Sequence, residues 1–85
     1  MTPEQVLAVV QQAVATVLEV DPATVRRGTS FTTDLKADSL ALVEIVEIVE
    51  EELALQARPG FHIDDADLDA LGTVGEAVDL AVSLL

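Results

Sequence analysis

Eighty-five residues make one domain, too short for two cores and able to bury only about 60–65% of the surface of its unfolded chain. A net charge of −12 works against nucleic-acid and anionic-membrane surfaces, both of which need basic residues, and directs attention to basic partners. The lack of cysteine excludes disulfides, thiolate nucleophiles and Cys-based metal sites; with Phe31 and Phe61 the only aromatics in a chain 51% apolar, the core has to be mainly aliphatic. Met1-Thr2-Pro3-Glu4 lacks the positive start of a signal peptide, and no apolar run approaches the ~20 residues of a membrane span. The expectation is a cytoplasmic monomer with one domain over 1–85.

The chain opens with a helix. Thr2 as N-cap, Pro3 at the first helical position and Gln5 three residues after Thr2 form a capping-box pattern. The spacing carries this helix to about Val20, with Val6, Val9, Val10, Ala13, Val17 and Val20 inward, and Asp21-Pro22 stops it. A long first loop follows over 21–34, with one turn of helix at Pro22-Ala23-Thr24-Val25, a reversal at Gly28, a solvated pair Arg26 and Arg27, and Phe31 and Leu35 as anchors.

The central helix sorts its residues sharply. At about 100° per residue Leu42, Ile45, Val46, Val49 and Leu53 gather on one arc, while Leu40, Glu44, Glu47 and Glu51 gather opposite. The run Ile45-Val46-Glu47-Ile48-Val49-Glu50 repeats every three residues, which a strand would scatter over both faces, so helix wins despite the β-branched residues. Asp38 is suited to cap it, because its carboxylate accepts an orphan N–H and faces the positive end of the helix dipole. Ser39 then falls in the first turn, where a phosphate on its hydroxyl would lie beside unpaired N–H groups.

Beyond this helix Arg58-Pro59-Gly60 marks a turn, with His62 beside it as a surface residue. Residues 64–71 read as a short third helix with Leu68 and Leu71 inward. Thr73 with Glu76 makes a second capping box, opening a last helix through Leu85 that buries Val74, Ala77, Val78, Ala81 and Val82. The fold class is therefore all-α, a small four-helix bundle with a short third helix and a long first loop.

Asp38-Ser39-Leu40, preceded by Phe31-Thr32-Thr33-Asp34-Leu35 and followed by an acidic amphipathic helix, closely resembles the acyl carrier protein family. Ile63-Asp64-Asp65-Ala66-Asp67-Leu68 and then Thr73-Val74-Gly75-Glu76-Ala77-Val78 resemble that family's third and fourth helices in the right order. The resemblance implies a non-enzymatic carrier with a covalent 4′-phosphopantetheine arm on Ser39, taken from coenzyme A, whose thiol holds acyl groups as thioesters. It implies as partners a phosphopantetheinyl transferase, then ketosynthases, acyltransferases and other acyl-processing enzymes with basic docking patches. The family's recognition helix maps onto Leu40, Val43, Glu44, Glu47, Glu50 and Glu51, and its acyl-chain lining onto Ile45, Val49, Ile63, Leu68 and Leu71.

The chain also departs from the family. Lys36 stands where glycine is usual, Asp64 where proline often follows the isoleucine, Glu47 where an apolar residue is common, and the connection over 54–62 is longer. These departures favour a polyketide or related specialised acyl pathway over primary fatty-acid synthesis. A peptidyl carrier would normally show Gly-Gly near the serine, so Ala37-Asp38 speaks against it.

A reading of another class remains. Asp65, Asp67 and Asp69, with Glu76, reproduce ligand positions 1, 3, 5 and 12 of a calcium-binding interaction domain. Ala70 in place of the required glycine, and Gly72 in place of a packing aliphatic, argue against such a loop.

Overall fold

Each helix expected from the sequence forms, and all but the short third begin at a side-chain cap. The computed structural model describes residues 1–85. Its elements are α1 (Pro3–Leu18), a single 3₁₀ turn (Pro22–Thr24), α2 (Ser39–Gln56), α3 (Asp65–Leu68) and α4 (Val74–Leu84). The structure is all-α, with an isolated antiparallel bridge between Ser30 and Thr73 as its only β pairing.

At the head of α1 the Thr2 hydroxyl accepts from Gln5 N at 3.2 Å, and the Gln5 side chain accepts from Thr2 N at 2.8 Å. The helix stops at Leu18, short of the expected Val20, because Glu19 turns left-handed at φ 57° and closes the last turn on Ala15 O. At the other end of the chain, the Thr73–Glu76 capping box forms as expected and opens α4.

Two further boundaries differ from the sequence reading by more than one residue. α2 runs on to Gln56, past Leu53, with the Ala57 N–H closing on Leu53 O. α3 is shorter than 64–71: after Leu68 the chain leaves the α-helix, and the Ala70 and Leu71 N–H groups close tight i→i−3 turns on Asp67 O and Leu68 O.

α1 packs against both α2 and α4. Val6, Val10, Ala13 and Val14 of α1 meet Ile45, Val46, Val49 and Leu53 of α2 and Val74, Val78 and Ala81 of α4, with Val25, Phe31, Phe61, Ile63 and Leu68 closing the core. Val14 is fully buried, whereas Val9 and Val17, read as inward, pack at its margin. No polar or charged side chain is buried, so the interior is purely structural and all chemistry lies at the surface.

Candidate functional site

The loop that delivers the chain to α2 is held at both ends. Phe31 N donates to Gly72 O at 3.0 Å, Val74 N to Thr29 O at 2.9 Å and Gly75 N to Arg27 O at 2.8 Å, so residues 27–31 lie against the entrance of α4. Gly75 permits that approach: a Cβ there would sit 2.9 Å from Arg27 O. On the α1 side, the Gln11 side chain donates to Val25 O at 2.7 Å. Within the loop Ser30 N donates to the Asp34 carboxylate at 2.7 Å, and Ala37 N donates to Phe31 O at 2.8 Å. Between these, Lys36 adopts φ 53°, the left-handed conformation that favours glycine.

This path ends at Asp38, whose carboxylate accepts from Ala41 N at 2.8 Å and whose carbonyl accepts from Leu42 N. Ser39 is the first residue of α2 and is exposed. The N–H groups of Ser39 and Leu40 donate to no protein atom, leaving two donors at the positive end of an 18-residue helix. The three serines differ in their hydroxyls. Ser30 Oγ accepts from Thr33 N at 3.1 Å and Ser83 Oγ donates to Leu80 O at 2.7 Å, while Ser39 Oγ makes no bond within the protein.

Five of the six residues mapped to a recognition face project outward: Leu40 and Val43 are 67% and 38% exposed, and Glu44, Glu47 and Glu51 are exposed. Glu50 differs. Its side chain, 19% exposed, turns toward the following connection, where its Oε2 accepts from Ile63 N at 2.7 Å and lies 2.7 Å from His62 Nδ1. Glu50 and His62 thus fasten the longer connection to α2. Phe61 is buried beside this fastening, Phe61 N closes a turn on Arg58 O with Gly60 at φ 82°, and the Arg58 guanidinium donates to Leu84 O.

Of the residues mapped to an acyl-chain lining, Ile45, Val49, Ile63 and Leu71 come together with Val10, Phe31, Val46 and Ala77 around an entirely apolar cavity of about 10 Å³. Leu68 is buried in the core but does not line that cavity. The carboxylates of the calcium reading are not brought together in a ligand cluster. Glu76 is committed to its capping box, its Oε1 accepting from Thr73 N at 3.0 Å and from the Thr73 hydroxyl at 3.2 Å. Arg27 pairs with Asp79 of α4 at 2.7 Å, both side chains being largely exposed.

The family model for a phosphopantetheine attachment site matches residues 8–81. The chain belongs to the acyl carrier protein family. It is 39% identical over 82 residues to the acyl carrier protein of Rubrobacter xylanophilus, covering 96% of this chain and 94% of that relative. It is 40% identical over 78 residues to that of an Exiguobacterium species, covering 92% and 91%. Among solved structures, the acyl carrier protein of Enterococcus faecalis is similar over 100% of both chains, with a TM-score of 0.75 and 33% identity.

As a member of this family the protein is a carrier rather than an enzyme, and its cofactor is a covalently attached 4′-phosphopantetheine. The head of α2 fits that group, since a phosphodiester there would meet the two free N–H donors of the first turn. Its functional contacts are with a phosphopantetheinyl transferase and acyl-processing enzymes. No helix of the carrier is long and apolar enough to cross a membrane.

Sequence reasoning missed the Glu50–His62–Ile63 fastening, which joins residues 13 apart across an irregular segment and leaves no periodic trace. The left-handed Lys36 did have a signal: it occupies a position where glycine is usual in the family the chain resembles.

Proposed function

We propose that Ser39 carries the arm and that the exposed face of α2 presents it to partner enzymes. The observation that carries the assignment is the Ser39 hydroxyl itself, exposed at a helix entrance and alone among the three serines in making no internal hydrogen bond. A transferase needs an accessible oxygen that is not already engaged, and the product needs positive backbone groups beside its phosphate; both are present here. When bound, the arm supplies a thiol that holds acyl groups as thioesters. Asp38 keeps the first turn of α2 in place beneath it through its bond to Ala41 N. Leu40, Val43, Glu44, Glu47 and Glu51 offer an apolar and acidic docking face to basic patches on ketosynthases, acyltransferases and the transferase, in the cytoplasm. The experiment is intact mass after incubation with coenzyme A and a promiscuous phosphopantetheinyl transferase. The native protein gains one arm and Ser39→Ala gains none while keeping its helical circular dichroism; modification that persists in the variant, or maps to Ser30 or Ser83, overturns the assignment.

The cargo, in this reading, belongs to a polyketide or related specialised acyl pathway. Support comes from Lys36 at a position where glycine is usual, Glu47 in the docking row, and a connection after α2 long enough to need its own fastening by Glu50 and His62. Primary fatty-acid synthesis is the second reading, favoured by 39–40% identity to proteins named simply as acyl carrier proteins. Elongation assays with a reconstituted fatty-acid synthase decide between them. Poor turnover beside a housekeeping carrier is expected, and equal turnover supports the second reading.

Cargo shelter is part of the same proposal. Ile45, Val49, Ile63 and Leu71 face a cavity with room for about one water, so an acyl chain enters only as α2 and the segment after it move apart, with Leu68 joining the lining as they do. Each buried methylene then contributes about 0.8 kcal/mol less the cost of opening. Acylated protein should melt above unacylated holo protein, rising with chain length; a flat series counts against internal shelter.

A further inference from the structure

We propose that α2 is a two-point docking helix, in which Leu55 forms a second apolar anchor at the far end of the acidic row from Leu40. Leu55 is 77% exposed and Leu40 67%, the two most exposed large apolar side chains of the protein. They are not scattered. Leu40, Glu44, Glu47, Glu51 and Leu55 fall within an arc of about 80° on α2, and 15 residues of helix separate the leucines by about 22 Å. The three carboxylates between them are exposed, and α2 contains no lysine or arginine to neutralise them.

The occupant follows from this charge pattern. It is a folded basic protein surface, with a row of lysine or arginine side chains bracketed by two apolar recesses about 22 Å apart. Neither leucine is needed by the core, and the row of like charges at three- and four-residue spacings destabilises the isolated helix, so a basic surface laid over the face would relieve that repulsion. Two anchors at fixed separation also read register: a surface that seats Leu40 alone leaves Leu55 in water. This inference rests on the carrier reading, in which Leu40 adjoins the arm, and adds the distal contact that decides which basic surfaces fit.

The test uses two synthetic helical peptides, each with an apolar residue near one end and three lysines in its middle turns, one of them carrying a second apolar residue four turns from the first. Affinities for the holo protein are measured by fluorescence anisotropy at low salt. The two-ended peptide should bind about tenfold more tightly than the one-ended peptide, and Leu55→Ser should erase that preference while barely changing binding of the one-ended peptide. Leu40→Ser should weaken both. Equal binding of the two peptides, or a preference surviving Leu55→Ser, overturns the second anchor. So does a dimer in sedimentation that Leu55→Ser dissociates, which would make a second copy the occupant. Each protein is first converted from apo to holo with coenzyme A and a phosphopantetheinyl transferase, and the mass gain of that step is recorded: its absence in the native protein would sink the carrier reading, and its presence in Leu55→Ser with unchanged peptide preference would sink only this proposal.

Discussion

Lys36 is a lysine in a conformation made for glycine. A left-handed L-residue costs about 1–2 kcal/mol, and glycine would relieve this while giving back about 0.5–1 kcal/mol through the greater freedom of the unfolded chain. Lys36→Gly should therefore gain up to about 1 kcal/mol in urea unfolding, and Lys36→Val, whose β-branching suits that region worst, should lose stability. Moderate salt keeps the changed charge from obscuring the comparison. Glu50 is the converse case, mapped onto a recognition face by resemblance alone, while its side chain bonds Ile63 N and His62 within the fold. Removing its carboxylate leaves the Ile63 N–H without a partner, so Glu50→Ala should cost about 1.5–3 kcal/mol and accelerate hydrogen exchange at the Ile63 amide. His62→Ala should cost under about 1 kcal/mol, since the imidazole is mostly in water.

The helices were legible wherever a cap and a period coincided. Thr2 with Gln5, Asp38 before Ser39, and Thr73 with Glu76 each announce a helix start, and all three make the backbone bonds their side chains promise. Helix ends were less legible. Glu19 and the turns after Leu68 stop their helices through backbone conformation, with no glycine or proline at the stop itself to mark it. Packing between elements was illegible for a further reason: Gly75, inside a helical pattern, looks like a defect until Arg27 O is seen against it. A methyl group would raise helix propensity by about 1 kcal/mol, yet it would meet a backbone carbonyl at 2.9 Å that cannot rotate away. Gly75→Ala should on balance destabilise by about 1–2 kcal/mol, and the amides of residues 74 and 75 should exchange faster because the loop lifts from α4. A gain in stability would mean that the loop yields easily.

Over the whole molecule the sequence disclosed the class of fold and the outward row on α2, because both follow from periodicity; it could not show which glutamates the fold itself would use. That division has an energetic consequence. The protein carries −12 charges on 85 residues, and Glu47 stands at the centre of the densest part, three residues from Glu44 and four from Glu51 on one exposed face. Each such like-charge pair destabilises by about 0.2–0.5 kcal/mol, and an opposite pair stabilises by as much. Glu47→Lys reverses both pairs and lowers the net charge from −12 to −10, so at low salt it should raise stability by about 1 kcal/mol. Added salt should shrink that gain, because screening already relieves the native row. The same variant should dock more slowly on basic partners, its loss concentrated in the association rate. Thermal unfolding across a salt series, paired with transfer kinetics, checks both halves. A variant that is more stable and a poorer partner identifies the acidic row as stability given up for recognition, whereas one that is more stable with unchanged transfer would leave the row with no part in docking.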